Sequence, residues 1–413
     1  MKWFDLEYAR EIATRLEATR STDARGRVSF SGWESHEYMT LITAILMATK
    51  EIPPLEKSRI VQKAIRTSAR NGEVTADTVL REASRLEGRF VTKKKEPFVL
   101  ASSLSISRFT KLPRFRLSGA TITVAANLPP QFFREAERLR LDSPYSTRLE
   151  TPDRYSRIRI AVRAASSEAA GEIALSRLDL FRAFINLFVN RSYGTPIMPT
   201  WPKPVNRVLA GPFHTLHEPS GKAASSTFWY SPSFDSEWSP YDLQKHEMVC
   251  ISFIKNAYGA LKKVSYRSKL EEWLVQYTKA LDEADWYSSF LRLWNLLEQL
   301  VVVGRGDGND VAIRRASFVW VDALFQRKVL KLLKEVRNQT VHSSRPETSE
   351  DLVLVHQLRN TVEMLLEFHL TRGGQFSSIE DVRTFLSHPP DERDLKIQLE
   401  ITSAALRYRS RAK

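Results

Sequence analysis

The 413-residue chain holds a single cysteine, Cys250, which excludes an intramolecular disulfide framework and predicts a reducing compartment. Its 15 glycines and 19 prolines are too few for a collagen-like or linker-rich chain. There is no internal repeat or low-complexity tract, so a solenoid is not expected. Long apolar runs are missing as well: the best one, FRAFINLFVN, is interrupted by Arg182 and Asn186 and falls short of the roughly 18 to 20 residues a bilayer demands. The N-terminal MKWFDLEYARE carries Asp5, Glu7, Arg10 and Glu11 inside its apolar pattern and lacks the uninterrupted core of a signal peptide. A cytoplasmic protein without a membrane partner is the expectation. No Walker phosphate loop, GxGxxG fingerprint, HExxH pair or GxSxG elbow occurs. His214 and His217 stand without carboxylates at useful spacing, and a CxxC site is impossible, so neither metal nor cofactor is expected.

What is present can build sizeable cores: 42% of residues are hydrophobic and 10% aromatic, and the length corresponds to two or three domains. Lysine and arginine total 62 against 48 acidic residues, and the net charge of +14 favours a polyanionic partner.

Residues 1–94 read as a helical subdomain throughout. Trp3, Phe4, Tyr8, Ile12 and Leu16 share a helical face, Ser35 is the expected cap of the run through Met47, and Thr75 that of the helix ending near Leu86. A DNA-binding regulator built on this subdomain is the weakest reading, because no pattern singles out a recognition helix. Residues 95–238 read as an α+β domain. FVLASSLSIS and FRLSGATITVAA are strand-like, a helix is expected over 167–190, and a hairpin should turn at Pro219, Ser220 and Gly221. RYSRIRIAVRAA alternates, with Ile158, Ile160 and Val162 on one face and Arg157, Arg159 and Arg163 on the other. Residues 106–165 hold twelve Arg or Lys against five Asp or Glu, half the net charge of the chain. A nucleic-acid-facing sheet through Arg157, Arg159 and Arg163, with Phe115 and Tyr155 free to stack on bases, competes with a solvated strand face.

Residues 239–388 read as a helical bundle, and 389–413 as a basic tail. In DWYSSFLRLWNLLEQL an apolar stripe runs through Trp286, Phe290, Leu293, Trp294 and Leu297, with Glu298 at its border. GRGDGND breaks that helix, a long one from about Val321 ends in RNQTVH, and Ser349 is the expected cap of the last amphipathic one. Cys250, among Met248, Val249, Ile251 and Phe253, reads as a buried thiol rather than a nucleophile. The fold class is therefore mainly α, with a central α+β domain and a C-terminal bundle.

Arg337, Asn338 and His342 in RNQTVH carry the most specific chemistry. An imidazole titrating near neutrality can take the proton of an RNA 2′-hydroxyl, and a guanidinium can stabilise the charge that gathers on phosphorus. No metal is needed, and DNA lacks the nucleophile. The string resembles the R-x4-6-H signature of the HEPN (higher eukaryotes and prokaryotes nucleotide-binding) superfamily, in which a polar residue usually follows the arginine, as Asn338 does here. Arg207 with His214 and Arg383 with His388 also match, but one spans Gly211 and Pro212 and the other runs into Pro389. Over residues 240–372 the order of FLRLWNLLEQL, a glycine-rich break, a helix ending in RN and H, a loop and a final helix resembles the Apea-like branch. The resemblance implies a HEPN-type bundle and a metal-independent endoribonuclease with Arg337, Asn338 and His342 as site residues. Glu298 would orient Arg337, and a homodimer would form through the bundle. It also implies RNA as substrate and a setting in bacterial phage defence or a toxin system, with an antitoxin or trigger protein as partner. The alternative within the family is a catalytically inactive nucleic-acid-binding or assembly protein. Five residues on an ideal helix correspond to about 500°, so Arg337 and His342 would point about 140° apart. Either the helix end unwinds near Val341 or the site is assembled between facing copies. Capping of a helix C-terminus by Arg and His is the structural alternative.

Overall fold

The computed structural model describes every residue except Gly26, 192–202, 232, 233, 236, 305, 343–348, 412 and 413; for 340–342, 349, 350 and 411 only the helical backbone is described. The chain is a mixed α+β protein in which helix predominates.

The N-terminal unit comprises β1 (Lys2–Trp3), α1 (Leu6–Ala18), β2 (Arg20–Thr22), β3 (Val28–Phe30), α2 (Trp33–Ile45), β4 (Leu46–Met47), α3 (Pro54–Asn71) and α4 (Ala76–Thr92). Its helices close over a separate core of Ile12, Leu16, Ile42, Leu46, Ile65 and Val79. Thr75 caps α4 as its sequence predicts, in a capping box with Thr78. The unit is not helical throughout. Asp23 accepts hydrogen bonds from the backbone N–H groups of Arg25 and Arg27, which turns the chain, and β2 and β3 pair as a hairpin. Nor does Ser35 cap α2. The helix starts at Trp33 after Gly32, whose φ of 79° only glycine adopts readily, and the Ser35 hydroxyl donates to the Gly32 carbonyl.

The middle of the chain contributes β5 (Glu96–Ser107), β6 (Phe115–Leu117), β7 (Ala120–Ala125), α5 (Pro130–Leu141), β8 (Tyr155–Ala164), α6 (Ser167–Asn190), β9 (Phe213–His217) and β10 (Ala223–Tyr230). The strands form one antiparallel sheet in the order β10-β9-β5-β8-β7-β6. FRLSGATITVAA is two strands rather than one, because Ser118 and Gly119 both take positive φ and make a tight turn. The serine is held there by the Tyr258 hydroxyl, which accepts from its N–H, and by Glu271, which accepts from its Oγ. The alternation of β8 behaves as its sequence predicts: Ile158, Ile160 and Val162 are buried on one face of the sheet. α5, which starts on Pro129 and Pro130 and has no counterpart in the sequence reading, packs on the other face against β9 and β10.

The rest is helical: α7 (Glu247–Leu261), α8 (Arg267–Leu281), α9 (Trp286–Leu300), α10 (Asn309–Ser317), α11 (Ala323–His342), α12 (Ser349–Arg372), α13 (Ile379–Leu386) and α14 (Glu392–Arg411). α6 joins this part to the sheet, since it packs on β8 and β5 and also on α7 and α8. One hydrophobic core consequently runs from Leu100 to Leu386, across the boundary expected near residue 239. Arg182 and Asn186, the residues that interrupt FRAFINLFVN, are fully buried and both donate to the Val208 carbonyl; Arg182 also pairs with Asp179 and Asp282. The polar breaks in that run thus tie α6 to the strand-ward segment beside it. Among the described residues no helix is long and apolar enough to cross a membrane.

Candidate functional site

α9 and α11 carry the residues singled out in the bundle. Asp285 caps α9 by accepting from Ser288 N–H, and the stripe from Trp286 to Leu300 is buried against α8 and α12. Glu298 lies half-buried at the edge of that stripe and accepts the indole N–H of Trp294 at 2.8 Å. It has no ion pair among the described residues, and the geometry does not link it to Arg337.

α11 docks through Leu330 and Leu333, both fully buried, and through Gln326, whose amide donates to the Thr361 hydroxyl of α12 at 2.9 Å. Its outer surface is strongly cationic: Arg327, Lys328, Lys331, Lys334 and Arg337 stand against one acid, Glu335. Arg337 and Asn338 are half-buried neighbours near its end, and Arg337 Nη1 lies 3.4 Å from Asn338 Oδ1. Among the described residues Arg337 has no carboxylate partner. Arg315 and Arg383, by contrast, both pair with Asp307. The backbone of α11 stays helical to His342, so the helix end does not unwind near Val341. The side chain of His342 lies outside the described residues.

Four of the other histidines are absorbed by the core. Burial pushes His214 down to about 4, and its Nδ1 shares a hydrogen with the Ser102 hydroxyl at 2.6 Å. Burial, then the charges of Arg359 and Arg207, push His356 down to about 3. His369 is also pushed down to about 4 by burial, while His217 bridges Gly221 O and the Thr215 hydroxyl. His388, of the alternative Arg383 pair, contacts Gln398. Cys250 is buried, and burial pushes its thiol up to about 12, which makes it a poor nucleophile. Among the described residues no group of three or more His, Cys, Asp or Glu could hold a metal ion.

The sheet face with Arg157, Arg159 and Arg163 is less open than its alternation suggests. Arg157 is half-buried and donates to Pro152 O, with Asp153 3.9 Å away. Arg159 lies under the ring of Phe132 from α5, 5.5 Å from its centroid. Burial pulls both guanidinium groups below the usual arginine range. Arg163 is exposed and donates to Lys95 O at 2.8 Å. Phe115 and Tyr155 are not free to stack on bases: Phe115 is buried against Phe181, and Tyr155 is fully buried with its hydroxyl donating to Trp238 O. The exposed aromatic pair near this sheet is Tyr145 and Tyr230, whose near-parallel rings lie 5.9 Å apart beside a cleft of about 1030 Å³. Arg148 and Arg154 line that cleft, but so do Glu150, Asp153 and Glu237, so it has no single charge preference. Periodicity could not have found the pair, because Tyr145 stands in a turn and Tyr230 at a strand end.

No protein-family model matches this chain, and no match to it was found among curated proteins or solved structures.

Proposed function

We propose that the chain is a metal-independent endoribonuclease of the HEPN type, with the bundle of α7 to α12 as its catalytic part and Arg337, Asn338 and His342 as its reacting residues. The observation that carries this reading is Arg337: half-buried, without a carboxylate partner among the described residues, beside Asn338 on a cationic helix that runs to His342. In the reaction His342 takes the proton of a ribose 2′-hydroxyl. That oxygen attacks the adjacent phosphorus, Arg337 stabilises the added negative charge, the P–O5′ bond breaks, and the 5′-oxygen takes a proton from water while His342 later returns its own to solvent. The products are a 2′,3′-cyclic phosphate and a 5′-hydroxyl. Asn338 holds the guanidinium or a phosphate oxygen, and Glu298 orients the arginine only if α9 and α11 shift toward each other. Residues five apart on an ideal helix diverge by about 140°, and α11 stays helical to His342, so a compact site draws on two facing copies.

A second reading has support from that same divergence: a bundle that binds RNA without cutting it. The basic sheet residues would help capture in either case, with Arg163 the most accessible of the three. The place in phage defence or a toxin system is carried by the resemblance alone.

Incubating end-labelled RNA in EDTA with the wild type and with His342→Ala tests the proposal. The wild type should leave cyclic phosphate ends, and the variant should be slower by about 10²-fold or more. Equal cleavage by both proteins, or cleavage that requires a divalent metal, overturns the mechanism; RNA binding without cleavage favours the second reading.

A further inference from the structure

The sheet face turned toward α5 is covered at one end only. α5 packs on β9 and β10 and reaches β8 with Phe132, whose ring meets Arg159, while the outward residues of β7, Thr121, Thr123 and Ala125, stay partly open to solvent. The register turns this open part into a trough. Thr121 stands beside Arg116 of β6 and Ala161 of β8, and Thr123 and Ala125 stand beside Arg159 and Arg157. Neighbouring strands are about 4.8 Å apart, so arginines on β6 and arginines on β8 form two rails about 10 Å apart over a floor of small side chains.

The β6 rail continues into the segment before it. RFTKLPRFR, residues 108–116, holds Arg108, Lys111, Arg114 and Arg116 and no acid, and none of the four has a carboxylate partner among the described residues. These cations crowd those of β8. Burial, then the like charge of Arg114, pulls Arg159 down; Arg157 is pulled down by burial and by Arg108, against the opposing charges of Asp153 and Glu137. Acids border the patch. Asp153 is 3.9 Å from Arg157, Glu137 is held by Arg140, Glu247 accepts the Lys111 N–H at 2.6 Å, and Glu96 precedes the strand partner of Arg163.

At the end of the trough the segment presents an aromatic ring and an orphaned hydroxyl. Phe109 is 69% exposed, on backbone pinned by bonds from Arg108 N–H to Arg154 O and from Thr110 N–H to Ser107 O. The Arg108 guanidinium lies 6.0 Å from the ring centroid and donates to Asn127 Oδ1. Beside the ring a hollow of about 730 Å³ opens between residues 108–112 and 124–126. Thr110 lines it and is 3% exposed, and its Oγ1 is buried without a hydrogen-bond partner among the described residues.

We propose that the β6–β7–β8 trough and residues 108–116 take a single-stranded nucleic acid, its phosphates along the arginine rails and a base on Phe109 beside the Thr110 hydroxyl. The accessible cations are thus those of the segment before β6, with the deeper Arg157 and Arg159 behind them. A duplex keeps its bases stacked on one another and offers Phe109 only backbone, and a flat anionic bilayer does not enter a trough with a polar floor. Phosphates and base faces are common to RNA and DNA, so the choice of RNA as the natural occupant rests on the reading of RNQTVH, whereas the surface itself does not.

Fluorescence anisotropy of labelled oligodeoxythymidylate on the full chain reads binding apart from cleavage, because that probe lacks a 2′-hydroxyl. Phe109→Ala should weaken binding by about 5- to 100-fold. The Arg114→Ala, Arg116→Ala double variant should weaken it too, and should make the dependence of log affinity on log salt shallower by about 1.4. Arg66→Ala with Arg70→Ala, which removes two exposed cations from α3, should change neither quantity. Oligouridylate should bind with the same pattern. Affinity unchanged by Phe109→Ala, an equal loss in the α3 variant, or a duplex that competes as well as the single strand overturns the proposal. So do phosphatidylserine vesicles that bind where the oligonucleotide does not. A chain that binds both oligonucleotides with this pattern and cuts neither supports the surface and refutes only the nuclease.

Discussion

Acid should destabilise this protein through His369, and the amount follows from its surroundings. The imidazole is fully buried on α12 among Tyr266, Trp273 and Phe368. Its Nε2 lies 2.8 Å from Leu300 O, which can only accept, so Nε2 carries the hydrogen; Nδ1 is bare and accepts the Tyr266 hydroxyl at 2.9 Å. The folded state therefore holds the neutral ring, and burial lowers its pKa from 6.5 to about 4. The folded value lies below the unfolded one, so the unfolded chain takes up the proton first as pH falls. This contribution is complete above about pH 6.5 and is lost progressively down to about pH 4. A shift of about 2.5 units corresponds to about 3 kcal/mol in all, of which about 2 kcal/mol is gone by pH 5. His214 and His356, lowered for the same reason, act in the same direction. Urea unfolding followed by tryptophan fluorescence, repeated from neutrality to about pH 5, measures the slope of stability on pH. His369→Gln should be less stable at neutrality and should flatten that slope by about 1.4 kcal/mol per pH unit. An unchanged slope in the variant would refute the assignment of a neutral, proton-refusing histidine.

Two further substitutions probe the packing. Arg182→Leu removes the fully buried guanidinium that lies between Asp179 and Asp282 and donates to Val208 O, leaving two half-buried carboxylates with, among the described residues, only Lys279 at 4.0 Å and the Asn206 amide as partners; chemical denaturation should register a loss of about 3 kcal/mol, partly regained in an Arg182→Leu, Asp282→Leu double variant. At Gly171 a Cβ would stand 2.1 Å from the ring of Trp229, so Gly171→Val should cost about 1 to 3 kcal/mol, and a Tm restored by adding Trp229→Leu would assign the cost to that contact.

The regular elements with one clear period were legible in the sequence. β8 alternates because one face meets α6, and α6 spans Ser167–Asn190 as read because Ser166 caps it and its apolar residues continue all round. What escaped depends on contacts that sequence periodicity does not encode. The β2–β3 hairpin is short and its turn rests on one aspartate side chain; the break at Ser118 is held by Tyr258 and Glu271, far away in the chain. α5 escaped although it opens on a proline pair, Pro129 at the cap and Pro130 in the first turn. In the candidate site, the proximity of Arg337 to Asn338 is a trivial consequence of sequence, whereas the lack of a carboxylate partner among the described residues is not. Glu298 shows the reverse: the resemblance implied a partner on α11, whereas its side chain accepts from Trp294 one turn back on its own helix.

α6 has a practical consequence as the member common to sheet and bundle. Leu180, Phe181, Phe184 and Ile185 are wholly enclosed, and Leu178 and Leu187 nearly so, by partners drawn from both sides. Cutting the gene near residue 239 would leave either product with an oily flank in water, the sheet fragment without α7 and α8 and the helical fragment without α6. Neither half is expected to be recoverable as a well-behaved fragment. Any dissection of the sheet's role from the bundle's has to proceed by point substitution within the intact chain.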